Sequence, residues 1–301
     1  MKIVSLLPST TEILFGVGAG ADVVGVTFEC DFPEEARGRR IVSSTTLPSG
    51  LTPAEIDAAV RRCVEAGEDL YRLDAGALRE LDPDLVVTQD LCAVCAIAVT
   101  DVDAALAHLG CRAEVVTVDP GTLEEVLDSI VTVGAAAGRR DEALGVVARL
   151  RRRLDVVAGA VSGAPRPRVA VVEWPDPPFG AGHWVPDMVR AAGGESVLGQ
   201  PGGRSVQVSW SDVDAANPDL VVLAPCGFGL DEAARMADGL CEAGALRVRA
   251  EVWAVDADAA FVRPGPRLVD GIEALASICH PGCTDPGPAL ARCVRRGDRT
   301  G

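Results

Sequence analysis

Cys92 and Cys95 form a C-x-x-C pair, and Cys30 and Cys226 stand in two other loop-like stretches of a chain that holds ten cysteines. Cys30 closes Glu29-Cys30-Asp31, and Cys226 lies in Pro225-Cys226-Gly227. A C-x-x-C pair can bite one metal ion or one iron of a cluster, and thiolates from other loops would complete a tetrahedral set. Such soft donors suit zinc, copper(I) or an iron–sulfur cluster rather than magnesium or calcium. His183, Glu29 and Glu173 are candidates to complete or support that site. The same pair also reads as a redox dithiol, and Cys226 as a small residue packed under its loop. A second group of residues is built for flat, apolar ligands. In Glu173-Trp174-Pro175-Asp176-Pro177-Pro178-Phe179, prolines stiffen a segment whose Trp174 and Phe179 can stack. Arg263 and Arg267 flank Pro264-Gly265-Pro266, where a guanidinium can meet a carboxylate or phosphate. No G-x-S-x-G elbow, P-loop or full dinucleotide fingerprint occurs.

These residues need elements to position them. Short β-rich runs alternate with amphipathic helices, the pattern of a parallel α/β sheet. Strands are expected at 3–7, 23–27, 85–88 and 114–118, then at 169–173, 220–224 and 252–255. Helices are expected at 185–192, 211–216, 231–242 and 266–278. N-terminal boxes are read at Ser9 with Glu12, Thr52 with Glu55, and Thr122 with Glu125. Residues 141–160 carry Leu144, Val147, Leu150, Leu154 and Val157 at helical spacing, and about twenty residues span about 30 Å. Its place midway between two α/β halves reads as a connector. The expected division is an α/β lobe at 1–140, a connecting helix at 141–160, a second α/β lobe at 161–284 and a floppy tail at 285–301.

An internal echo supports two related lobes. Leu81-Asp82-Pro83-Asp84-Leu85-Val86-Val87 returns as Ala216-Asn217-Pro218-Asp219-Leu220-Val221-Val222. Each copy is a helix end, a Pro-Asp turn and a buried strand, followed by a loop with cysteine. Open α/β sheets bind ligands where strands end, so a small-molecule crevice between the lobes is expected.

The net charge of −16 argues against a nucleic-acid binder. No stretch approaches the ~20 apolar residues of a membrane span. Met1-Lys2 runs straight into Ile3-Val4-Ser5-Leu6-Leu7 with no leader pattern, and the cysteines lack disulfide-scaffold spacing. Both observations predict a cytoplasmic chain.

The order of several motifs is similar to that of the class III solute-binding proteins, in the cobalamin branch that feeds vitamin B12 importers. The carriers are Ser5-Leu6-Leu7-Pro8-Ser9-Thr10-Thr11-Glu12, Cys30-Asp31-Phe32-Pro33, the Pro-Asp strand entries, Pro177-Pro178-Phe179-Gly180-Ala181-Gly182, Val208-Ser209-Trp210 and 261–267. The resemblance runs over nearly all of residues 1–280. It implies two Rossmann-like lobes tied by one helix, with a corrinoid held between aromatic side chains. By resemblance, Trp174, Phe179, Phe261 and Arg263 fall where the family lines its cleft. His183 and Tyr71, the only tyrosine, are further ligand-binding candidates. Tyr71 sits at the end of an extra stretch, 49–73. Members that dock on a permease use a surface Glu on each lobe. The aligned positions here fall near Gly76 and Ser211 and are not acidic, although Glu80 and Asp212 lie nearby, which puts the docking role in question. The missing leader, the missing docking acids and the cleft thiols together raise an alternative: a cytosolic metal- or iron–sulfur-dependent enzyme using Cys30, Cys92, Cys95 and Cys226.

Overall fold

The computed structural model describes residues 1–89, 113–246, 249–283 and 290–296. Contacts divide the chain into two compact units: Met1–Pro120 with Glu125–Arg149, and Gly121–Glu124 with Leu150–Gly301. The division falls inside one helix of 21 residues, Arg140–Ala160.

The first unit is built on a five-stranded parallel sheet. Its strands are β1 (Ile3–Ser5), β2 (Val23–Val26), β3 (Arg40–Ile41), β6 (Leu85–Thr88) and β7 (Glu114–Thr117), in the order β3-β2-β1-β6-β7. β4 (Ser43–Thr45) and β5 (Tyr71–Leu73) pair antiparallel in a separate ribbon. The helices of this unit are α1 (Pro8–Gly16), α2 (Pro53–Ala66), α3 (Ala75–Leu81) and α4 (Leu123–Ala136), and α5 (Arg140–Ala160) begins in it. The extra stretch noted in the sequence therefore forms a helix and the second strand of the ribbon.

The second unit centres on parallel strands β8 (Arg168–Pro175), β12 (Leu220–Leu223) and β13 (Glu251–Val255). β9 (Pro178–Gly180), β10 (Glu195–Ser196), β11 (Val206–Gln207) and β14 (Ala291–Arg295) complete a seven-stranded sheet, ordered β11-β9-β8-β12-β13-β14, with β10 also on β8. Its helices are α6 (Val185–Ala191), α7 (Trp210–Ala215), α8 (Leu230–Glu242), α9 (Ala257–Ala260) and α10 (Leu268–Cys279). The expected tail contains β14, which pairs antiparallel with β13. Trp253, Ala254 and Val255 give that added strand an edge to extend, and Arg292 reaches Asp231 at 2.7 Å.

Helix starts follow local chemistry. Thr52 and Glu55 form the expected capping box, and Ser209 with Asp212 forms another at α7. The box expected at Ser9 and Glu12 does not form. Pro8, whose fixed φ suits a first helical position, starts α1 two residues earlier, so Ser9 and Glu12 lie buried inside it.

The repeated Pro-Asp motif does the same work in both units. Asp84 Oδ2 accepts the Lys2 N–H at 2.7 Å, and Asp84 N–H returns a bond to Lys2 O at 2.9 Å. Asp84 O also accepts from Glu114 N–H at 2.9 Å, the first residue of β7. In the second unit, Asp219 Oδ2 accepts the Arg168 N–H at 2.7 Å, and Asp219 N–H bonds Arg168 O at 2.8 Å. Asp219 O accepts from Glu251 N–H at 3.0 Å. Just upstream, Asp82 (φ 46°) and Asn217 (φ 44°) take the left-handed conformation that these side chains tolerate. One aspartate thus ties the entries of three parallel strands and sets the registers Ile3↔Leu85↔Glu114 and Val169↔Leu220↔Glu251.

Asp84→Ala and Asp219→Ala are each expected to destabilise the chain by about 1 kcal/mol. Asn, which keeps one acceptor oxygen, should cost less at either position. Urea midpoints of the four variants would check this order; equal midpoints for Ala and Asn would refute it.

Candidate functional site

Tied at their starts, the parallel strands of each unit finish together, and the sequence-predicted residues gather at those carboxyl ends. In the first unit, β2 leads into Thr27-Phe28-Glu29-Cys30. Cys30 turns inward and is 4% exposed. Its Sγ lies 3.0 Å from Thr11 Oγ1 and 3.1 Å from Thr27 Oγ1. Thr11 also donates to Ser5 Oγ at 2.8 Å, and Ser5 Oγ lies 2.7 Å from Thr10 Oγ1. A buried hydroxyl–thiol network therefore joins β1, α1 and β2, and the Cys30 thiol is part of it. Tyr71, at the start of β5, donates its hydroxyl to Glu29 Oε1 at 3.3 Å. Its ring is 6.1 Å from that of Phe28. Phe28 and Phe32 are 39% and 44% exposed, so this edge presents aromatic surface.

In the second unit, β8 ends at Glu173-Trp174-Pro175 and turns back into β9, placing Trp174 opposite Phe179. Trp174 Nε1 donates to Asp176 O at 3.1 Å, which fixes the indole along the turn. Its ring stands 5.9 Å from Phe228, in the turn after β12. That turn is joined to β8 by Cys226 N–H on Glu173 O at 3.1 Å, and the Cys226 side is exposed.

Next to Trp174 lies Glu173, which is part-buried. It accepts the Ser205 hydroxyl and the Gly182 backbone N–H, yet burial outweighs both and pushes its pKa up to about 7. His183 (φ 51°) bonds through its backbone to Gly203 O and Gly202 N–H. Burial first, then the Arg204 charge, lowers its imidazole pKa, so the ring is neutral at pH 7. Gly182 is required here: a Cβ would stand 2.3 Å from Ser205 N and 2.5 Å from Arg204 C.

Two of the expected ligand-binding residues lie buried in this structure. Phe261 is fully buried, and its carbonyl accepts the Trp184 indole N–H at 2.7 Å. Arg263 is 9% exposed and held by both Asp258 oxygens, at 3.1 and 2.5 Å, which makes it a brace for the turn before α10. Cys92 and Cys95 lie outside the described residues. Among the described residues no group of three or more His, Cys, Asp or Glu could hold a metal ion. Cys30 and Cys226 belong to different units. At the aligned docking positions, Ser211 Oγ is 2.7 Å from Ser209 Oγ and Asp212 is spent on the α7 cap, which lowers its pKa. Glu80 lies 4.0 Å from Arg40. No described helix is long and apolar enough to cross a membrane.

A family model described as "Periplasmic binding protein" matches residues 3–246. The chain belongs to this family. Like other periplasmic binding proteins it carries two α/β lobes. It is 27% identical, over 93% of its own length and 80% of the relative's, to an uncharacterized ABC transporter substrate-binding lipoprotein, YvrC, of Bacillus subtilis (strain 168). Among solved structures it is similar to a periplasmic heme binding protein from Pseudomonas aeruginosa, with a TM-score of 0.70, 21% identity and coverage of 100% and 99% of the two chains. It is also similar to the periplasmic vitamin B12 binding protein BtuF of Vibrio cholerae, with a TM-score of 0.62, 20% identity and coverage of 92% and 95%. At these identities the structural likeness speaks for the fold.

Ser205, Phe28 and Asp258 were not singled out from sequence. Ser205 lies in an unpatterned Gly-rich stretch, and its role arises only when that stretch folds onto the 180–183 turn.

Two outcomes are expected. Brief iodoacetamide treatment of the native protein, mapped by peptide mass, should alkylate Cys226 at least about tenfold faster than Cys30; comparable rates would refute the buried network. Gly182→Ala should lower stability by about 1–3 kcal/mol, seen as an earlier thermal transition, because backbone rather than a flexible side chain occupies the space.

Proposed function

We propose that this periplasmic binding protein takes a cobalamin-type corrinoid as its ligand. The observation that carries the reading is the Trp174–Phe228 pair, held at the carboxyl end of the second sheet by a proline-stiffened turn. Aromatic faces of this kind suit a broad macrocycle, because stacking contributes beyond simple burial of area. Within the first unit, Phe28 and Phe32 follow β2 and are exposed, and Tyr71 at the start of β5 stands beside Phe28. Fold relatives described as vitamin B12 and heme binders make a tetrapyrrole the natural class.

Charge favours the corrinoid within that class. A heme brings two propionates that call for cationic partners, whereas a corrinoid presents mostly uncharged amides. Glu29 stands at the first unit's aromatic edge, Arg263 is paired with Asp258, and the chain carries −16 overall. Amides can be met by such acidic and carbonyl acceptors.

Calorimetry and ligand absorbance during titration with cyanocobalamin and, in parallel, hemin would test the proposal. Saturable one-to-one binding of cyanocobalamin is expected, weakened about tenfold by Trp174→Ala. Absence of saturation at about 50 μM, well above the micromolar range of useful capture, or binding of hemin alone, would overturn it.

A further inference from the structure

Beside the aromatic turn of the second unit stands a cation that the fold does not pair. Arg204 is exposed, and among the described residues its guanidinium forms no hydrogen bond and no ion pair. Arg263 differs, since it is paired with Asp258. The backbone around Arg204 is seated from both sides. Gly202 N–H donates to His183 O at 3.1 Å, and Gly203 O accepts the His183 N–H. Ser205 Oγ donates to Glu173, the residue before Trp174, and Gln207 lies opposite Phe179. Gly182 approaches so closely that a Cβ there would stand 2.5 Å from Arg204 C. The segment 202–205 therefore rests on the 180–183 turn, and β8 and β9, which lead into that turn, carry Trp174 and Phe179. The Arg204 guanidinium is near enough to His183 for its charge to act on that ring. A residue seated in this way before a ligand arrives leaves less ordering to be done on binding.

The surroundings limit what such a cation can receive. The other charged or titratable groups on the packed elements are Glu173, Asp176 and His183. The two carboxylates repel anions, so one guanidinium in their company suits a single negative charge rather than several. Its planar fork matches phosphate and carboxylate oxygens through two N–H bonds. A corrinoid complete with its nucleotide loop carries one such group, the phosphodiester, while its ring presents amides. A heme carries two carboxylates.

We propose that Arg204 is a specificity-determining residue that receives the anionic arm of a macrocycle stacked on the Trp174 turn, which in a corrinoid is the phosphodiester of the nucleotide loop. This rests on the proposed ligand class and deepens it: the ligand is the complete corrinoid rather than the bare ring.

Calorimetry of the full chain with cyanocobalamin and with dicyanocobinamide, which lacks the nucleotide loop, tests the assignment. The natural chain should bind cyanocobalamin about fivefold more tightly, the scale of one solvent-exposed charged contact. Arg204→Gln should remove that advantage and leave the cobinamide affinity within about twofold, and Arg204→Lys should keep part of the advantage. Raising salt from about 50 to about 500 mM should shrink the preference in the natural chain. Equal affinities for the two corrinoids in the natural chain, or a preference that survives Arg204→Gln, would overturn the proposal. So would an equal loss for both ligands in Arg204→Gln, the mark of a merely structural role. Hemin, titrated in parallel, separates this outcome from the ligand class. If hemin alone binds and Arg204→Gln weakens it about fivefold, the corrinoid reading falls while Arg204 stands as the receiver of the anionic arm. Hemin binding indifferent to the substitution, or no binding of either macrocycle, would overturn both.

Discussion

Each sheet depends on one aspartate at the entry to an inner strand, β6 in the first unit and β12 in the second. Asp84 and Asp219 accept a backbone N–H from the neighbouring strand through the side chain, while their own N–H and C=O bond the strands on either side. Parallel strands have no hairpin to fix their register, so something must level their starts. A carboxylate bonded to backbone does this at about twice the strength of a neutral pair. With the starts level, the strands end together, and side chains far apart in sequence share one edge. The left-handed Asp82 and Asn217 bring each chain into that position from the preceding helix.

What gathers at the two edges differs in kind. In the first unit the inner side is a closed hydroxyl–thiol network, and the outer side is aromatic. Cys30 belongs to the closed part: its sulfur is satisfied by Thr11 and Thr27, so it serves cohesion between β1, α1 and β2 rather than presenting a thiolate. In the second unit the aromatic turn is backed by a part-buried acid, Glu173, bonded to Ser205 and Gly182; burial raises its pKa against those bonds. The chain belongs to the periplasmic binding protein family.

Much of the architecture was legible in the residues. The seven strands read from periodicity all form, because alternating β-branched runs bounded by turn residues leave few other ways to bury them. The Pro-Asp echo marked an inner strand of each sheet. The failures have physical causes. Ser9 with Glu12 has the spacing of a capping box, but Pro8 starts the helix sooner. The C-terminal stretch looked unstructured by composition, yet Ala291–Arg295 finds an open edge on β13. Burial was not legible either: Phe261 packs in the core and Arg263 pairs with Asp258.

The sequence by itself determined the two α/β units, the helix in which they divide, the strand entries and the aromatic character of the loop after β8. These are local properties, set by periodicity, proline and turn chemistry within a dozen residues. Only tertiary structure decided which polar groups are available. Cys30 and Cys226 look alike in sequence, and one is sealed by two threonines while the other faces solvent. Glu173 and Ser205 are 32 positions apart, and only the folding of a glycine-rich segment across β9 makes one the partner of the other. Burial and long-range pairing depend on what the rest of the chain brings alongside, and no local pattern encodes that.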